Sequence, residues 1–285
     1  MGEKMQNKPD KPKGIALTIG LNSFDPIHYG DSGELFGCEN DARDMADIAQ
    51  ANKFEVKTLL TREATRDNVI DQISKAASTL LSGDIFMLTY SGHGGWLYDK
   101  NNDERDFMDE TWCLYDGQLV DDELYYWLSK FKPDVRVFVT SDSCHSGTIT
   151  RMAVIKKSRV KSGKRVRAIS KKLARAVYAK NREFYDQILT DQKYGSAFEG
   201  IDASVLLISA CQDDQECLDG DENGVFTKIL LLVWDNGHFK PTGEREGYQA
   251  FYDAVSNRSP MSQTPNYFQT GRINEEFEKQ KPYTI

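Results

Sequence analysis

The sequence predicts an α/β protein built on a mostly parallel sheet with helices on both faces. Two observations carry that expectation. Apolar, β-branched runs alternate with helix-period segments from residue 14 to about 150. After a basic interruption the same alternation resumes at residue 203.

Taken in order, GIALTIGLN (14–22) is an apolar, β-branched run and reads as the first strand. CENDARDMADIAQA (38–51) aligns Ala42, Met45, Ala46 and Ala49 along one helical face. FEVKTLL (54–60) returns to strand. Thr65 can cap a helix running to 81, with Val69, Ile73, Ala76, Ala77 and Leu80 turned inward. DIFMLTYSG (84–92) and VRVFVTS (135–141) are further strands, with DDELYYWLSK (121–130) as a helix between them. ASVLLISAC (203–211) is a fifth strand. GVFTKILLLVWDN (224–236) and GYQAFYDAVSN (247–257) follow as helices. QTPNYFQ (263–269) can be a last strand, and Pro265 favours an edge position for it. This divides the chain into a polar tail (1–13), a large part (14–150), a basic linker (151–195) and a small part (196–285) completing the same sheet.

Composition narrows the class. The chain has 285 residues with 39% hydrophobic and 28% charged, as expected of a water-soluble globular protein. It contains no apolar run of membrane-spanning length. The N-terminus has no apolar core for a signal peptide, and Gln6 stands where a myristoylation signal needs Ser or Thr. The cysteines number five, an odd count without a CxxC pair, and the four histidines are scattered. That pattern argues against a disulfide scaffold or a zinc site and for a reducing cytoplasm. The net charge of −8 hides a split, because residues 151–182 hold 13 Lys or Arg and no Asp or Glu.

Two strands end in turns that carry chemistry. DIFMLTY leads into SGHGG, which places His93 among glycines, and VRVFVTS leads into DSCHSG, which places Cys144 in a similar turn. Ligands of open α/β sheets bind beyond the carboxyl ends of the strands. If these strands are neighbours, His93 can act as base for a Cys144 thiolate. The backbone N–H groups of Gly94 and Cys144 could then stabilise an oxyanion. That constellation suits acyl transfer, with peptide hydrolysis the obvious case. His145 is a rival base, but adjacent turn residues rarely face one another.

YSGHGG and DSCHSG resemble the histidine and cysteine motifs of metacaspases, the caspase-like cysteine peptidases. The resemblance runs over about 14–151 and 196–269, and LFGCENDARDM, VDDEL and SACQDDQ extend it. It implies a caspase–haemoglobinase fold with a six-stranded, mostly parallel sheet flanked by helices. It also implies His93 and Cys144 as the catalytic pair, with an acidic pocket for Arg or Lys formed by Cys38, Asp41, Ser91 and Asp142. Carboxylates there would hold a guanidinium or ammonium by charge-assisted hydrogen bonds. The expected partner is therefore a protein or peptide substrate with Arg or Lys before the scissile bond. The protein is expected to be a monomer with no organic cofactor and no membrane contact.

Residues 99–123 carry ten carboxylates, a crowding that a cation would relieve. Asp99, Asn101, Asp103 and Glu110 have EF-hand spacing, but Glu104 occupies the position that needs Gly. The resemblance instead implies calcium ligands at Asp109, Asp121 and Asp122. It departs at Arg151, which falls where a further acidic ligand is expected. Asp121 can equally be a helix N-cap.

The basic segment 151–182 lies where caspase relatives join their large and small parts. An Arg- or Lys-directed enzyme would find many sites there. The segment is expected to be a self-cleavage or activation loop that could also block the cleft, with cutting by a second protease or a regulator left open. Nucleic-acid binding is the rival use of so many cations. It lacks aromatic interleaving, since Tyr178 stands alone. A catalytically silent scaffold of the same fold is the remaining alternative.

Overall fold

A computed structural model describes residues 11–98, 108–144, 165–194, 200–212 and 215–285. Its centre is a six-stranded sheet. β1 (Gly14–Gly20), β2 (Glu55–Leu60), β3 (Ile85–Ser91), β7 (Arg136–Asp142), β8 (Ser204–Ser209) and β9 (Asn266–Gly271) lie in the order β2-β1-β3-β7-β8-β9. Every pairing is parallel except that of β9, which closes the edge antiparallel to β8.

The sequence explains why both faces are covered. Side chains alternate along a strand with period two. Leu17 and Ile19 of β1, Phe86 and Leu88 of β3, and Val137 and Val139 of β7 enter one core. That core is closed by α3 (Arg66–Thr79) and α4 (Asp121–Leu128). Ala16, Met87, Phe138, Leu206 and Ile208 enter the other. That one is closed by α2 (Cys38–Ala51), α7 (Val225–Trp234), α8 (Gly247–Ser256) and α9 (Glu275–Lys279). As expected, α2 spans 38–51 and the Thr65 hydroxyl caps α3 by accepting from the Asn68 N–H.

A second, three-stranded antiparallel sheet has the order β4 (Gly94–Tyr98), β5 (Met108–Leu114) and β6 (Gly117–Val120). It packs with α1 (Pro26–Tyr29), α5 (Lys171–Lys180) and α6 (Arg182–Leu189) around Tyr29, Trp96, Val177 and Tyr185. This sheet was not foreseen, whereas helix in the basic linker fits a reading of that segment as a partly helical insertion. Among the described residues no helix is long and apolar enough to cross a membrane.

Cys211 and Cys217 form a disulfide that the cysteine count did not single out; one local bridge does not make the chain a disulfide scaffold. The two residues stand at a Cα separation of 6.1 Å, within the span a disulfide bridges.

Candidate active site

The register fixes the site. Ser91, the last residue of β3, pairs with Asp142, the last residue of β7. His93 and Cys144 each lie two residues beyond that pair, so they leave the sheet side by side. Gly20, where β1 ends, pairs with Ser91, and the chain then crosses to α2, which begins at Cys38.

Into this corner the chain inserts part of its own basic linker. Residues 165–167 pair antiparallel with 217–219 through an isolated bridge, Val166 to Leu218. The Arg167 N–H donates to the Cys217 carbonyl and the Asp219 N–H to the Arg165 carbonyl, both at 2.9 Å. Such main-chain pairing is how extended peptides dock on an exposed edge. Arg165 lays its guanidinium over the Phe36 ring at 3.8 Å.

Arg167 is fully buried. Its Nη2 contacts Asp41 Oδ2 at 2.8 Å and Asp219 Oδ1 at 2.9 Å. Nη1 reaches Asp142 Oδ2 and Ser91 Oγ, both at 2.9 Å, and the Asp142 carbonyl at 3.3 Å. Nε donates to Asp219 Oδ1 at 3.3 Å. A buried guanidinium is tolerable only when paired and hydrogen-bonded this fully.

The carboxylates are themselves fixed. Asp142 accepts from the Thr227 N–H and hydroxyl at 3.0 and 2.7 Å. Asp41 accepts from the Gly224 N–H at 3.0 Å. Both therefore sit at the N-terminus of α7, where the helix dipole favours anions. Asp219 accepts from the Phe36 N–H at 2.8 Å. Burial lifts the Asp142 pKa above the ordinary carboxylate range, and the Arg167 charge opposes that rise. Cys38 is buried one turn ahead of Asp41, and burial raises its thiol pKa.

The Arg167 carbonyl oxygen accepts two backbone bonds, from the Gly94 N–H at 2.9 Å and the Cys144 N–H at 3.1 Å. Any Cβ at position 94 would collide with the Cys144 carbonyl oxygen, so only glycine permits this approach. Past the carbonyl, the Ile169 N–H donates back to the Gly94 carbonyl at 2.9 Å, and Ile169 is buried.

His93 is nine-tenths buried. Its Nε2 lies 3.0 Å from the Gly33 carbonyl, which can only accept, so Nε2 carries the proton and Nδ1 is the basic nitrogen. Nδ1 has no hydrogen-bond partner among the described residues. The Tyr90 hydroxyl donates to the His93 carbonyl at 2.7 Å, and Tyr90 stacks on Trp112 with centroids 4.5 Å apart. Burial holds His93 down at about 4 and pushes the Cys144 thiol up to about 12. With the linker seated, the two are therefore a neutral imidazole and a neutral thiol.

The structure thus gathers Cys38, Asp41, Ser91, His93, Gly94, Asp142 and Cys144 at one sheet edge. It adds Asp219 and Gly33, which sequence reasoning missed. Asp219 lies in SACQDDQECLDGD, where several aspartates compete for notice, and Gly33 acts only through its backbone. The proposed calcium ligands lie elsewhere. Thr111 pairs with Val120, so Asp109 and the Asp121–Asp122 pair reach the same end of the β5–β6 ladder, with Asp109 and Asp121 buried. Asp99, Asn101, Asp103, His145 and Arg151 lie outside the described residues.

Comparison with known proteins agrees with this architecture. The Caspase domain family, Peptidase_C14, matches residues 13–275. Metacaspase-1 of Pyricularia oryzae is 34% identical over 151 residues, covering 48% of this chain and 37% of that protein. Metacaspase-1 of Mycosarcoma maydis is 29% identical over 245 residues, 75% of this chain and 60% of that protein. The chain thus spans less than two thirds of either relative. Among solved structures, a Geobacter sulfurreducens protein is 50% identical, with a TM-score of 0.83 over 96% of this chain and 99% of its own. Caspase-1 of Spodoptera frugiperda, 14% identical with a TM-score of 0.50, shares the fold.

Proposed function

The chain belongs to the caspase-domain family, and from that premise we propose that it is a cysteine endopeptidase cutting after arginine, held latent by its own Arg167–Ala168 bond. One observation carries the reading. Arg167 lies in a pocket of three carboxylates while its carbonyl oxygen meets the N–H groups of Gly94 and Cys144.

The proposed reaction uses these groups in turn. His93 Nδ1 takes the Cys144 proton, and Sγ attacks the Arg167 carbonyl carbon. The negative charge that develops on oxygen meets the two N–H donors. His93 then returns the proton to the departing Ala168 nitrogen, leaving a thioester. Water, deprotonated by His93, frees the Arg167 carboxylate and restores the thiol. While the linker is seated, proton transfer from Cys144 to His93 is strongly uphill, since burial disfavours both charged forms. Slow self-cleavage, followed by departure of 165–167, would hydrate the pair and open the pocket to other substrates.

Calcium is the proposed activating ion at Asp109, Asp121 and Asp122. Their carboxylate oxygens suit a hard dication, and binding one would draw the three side chains together, since no acidic trio among the described residues brings its oxygens within 4.8 Å of one another. A rise in melting temperature with calcium that Asp109→Asn removes would support this; no shift would exclude it.

The purified chain is incubated and its new N-termini are sequenced, with Cys144→Ala and Arg167→Ala as controls. A terminus at Ala168 is expected from the wild type and from neither control. Hydrolysis of a fluorogenic Arg-Val-Arg peptide should likewise vanish in Cys144→Ala. A terminus elsewhere, or hydrolysis that survives Cys144→Ala, would overturn the reading.

A further inference from the structure

Cys144 does not stand alone beyond its strand. β8 ends at Ser209, which pairs with Ser141 of β7, so Cys211 leaves the sheet beside Cys144. Cys217 is joined to Cys211 as a disulfide. The three sulfurs lie within 4.8 Å of one another, and all three side chains are buried. Two contacts bind the free thiol to the bridge. The Cys217 N–H donates to Cys144 Sγ at 2.9 Å, and the Cys144 thiol faces the Cys217 carbonyl at 3.7 Å. Acyl transfer through Cys144 and His93 needs neither of the other sulfurs.

A thiolate beside a disulfide exchanges with it when access and leaving group permit. We propose that Cys144, Cys211 and Cys217 form a thiol–disulfide exchange site that reversibly locks the nucleophile. The Cys144 thiolate attacks Cys217 Sγ, the Cys144–Cys217 bond forms, the Cys211–Cys217 bond breaks, and Cys211 leaves as a thiolate. One thiolate and one disulfide enter and leave, so no outside oxidant is needed, and the proton lost by Cys144 is regained by Cys211. Attack of Cys211 on Cys217 reverses the step. Cys217 is the sulfur attacked because its own N–H holds Cys144 Sγ against that residue.

The lock acts on binding as well as on chemistry. Residues 217–219 are the segment that pairs with 165–167, and Asp219 lies two residues past the exchanging sulfur. The seated linker guards the site, since the Cys144 N–H holds the Arg167 carbonyl. The inference rests on Cys144 being the nucleophile of the proposed reaction.

The test uses the full chain and its Cys211→Ser variant, each equilibrated over a series of glutathione ratios. Samples are quenched in acid, alkylated, digested and mapped for disulfide-linked peptides by mass spectrometry. In the wild type, Cys211–Cys217 should dominate with Cys144–Cys217 as a minor isomer. In Cys211→Ser the leaving sulfur is gone, so Cys144–Cys217 should accumulate at least tenfold over the wild-type fraction. Arg-Val-Arg hydrolysis should fall in step and return with dithiothreitol. Cys144 found free or paired only with glutathione at every ratio would overturn the proposal. So would Cys144–Cys211 as the accumulating pair. If Cys211→Ser fails to fold, the wild-type map alone decides, and the absence of any intrachain Cys144 disulfide refutes the lock. The map reads sulfur pairing rather than hydrolysis, so its failure is distinguishable from a failure to cleave after arginine.

Discussion

Replacing arginine by lysine at the proposed cleavage position tests the carboxylate pocket directly. Arg167 makes six polar contacts between 2.8 and 3.3 Å from three nitrogens that point in different directions. A lysine ammonium has three N–H groups on one atom and keeps the charge, but it satisfies at most three of those contacts. Hydrogen bonds to charged groups contribute about 1.5–3 kcal/mol each, and water replaces part of what is lost. A net loss equal to one such bond predicts a kcat/KM about 10- to 150-fold lower for Arg-Val-Lys than for Arg-Val-Arg. The assay is hydrolysis of the two fluorogenic amides, run beside the rate at which Ala168 appears as an N-terminus in the Arg167→Lys chain. Equal turnover, faster cleavage after lysine, or cleavage after aspartate would refute the argument.

Gly94→Ala should lower Arg-peptide hydrolysis by about 100- to 1,000-fold, the usual effect of losing an oxyanion donor, because the new Cβ displaces the Cys144 carbonyl; undiminished activity would place the oxyanion elsewhere. Arg66 forks onto Glu123 at 2.7 and 3.0 Å, and Glu123 is buried. Arg66→Ala strands that carboxylate and should cost about 3–5 kcal/mol in urea denaturation. His93 is held at about 4 by burial, whereas an unfolded imidazole titrates near about 6.5. Between those values the unfolded chain binds a proton the folded chain refuses, so stability should fall as pH drops from about 6.5 to 4. His93→Gln should flatten that slope relative to wild type, as measured by urea midpoints across the window.

The fold was largely readable because its signals are local and repeated. The Ala42–Met45–Ala46–Ala49 face, the Thr65 cap and the apolar runs each announce an element without reference to the rest of the chain. The antiparallel placement of β9 was foreshadowed only by Pro265 near an expected edge. The small sheet β4–β5–β6 was not legible, since its acidic and aromatic residues match neither period cleanly. The charge of the linker allowed a partly helical reading but not the bounds of α5 and α6, whose buried face comes from Ala174, Val177 and Tyr185. At the site, the glycine-flanked His93 and the Cys144 just past a strand stand out in sequence. What binds there does not: among 13 cations, only three-dimensional pairing distinguishes Arg167 from its neighbours. The link between Cys211 and Cys217 was likewise invisible to a count of cysteines, because which two of the five meet is not a compositional property.

The neighbours β7 and β8 lie on opposite sides of the Arg167–Ala168 bond, yet they are laddered from Arg136↔Ser204 to Ser141↔Ser209. Downstream of that bond, Ile169 remains buried and α5 and α6 stay packed against the small sheet. A chain nicked there would acquire two new ends and still diffuse, sediment and scatter as one particle. Its two pieces would separate only when the central sheet itself unravels. Native size is therefore a poor reporter of the cut, and a denaturing gel is the place to look for it.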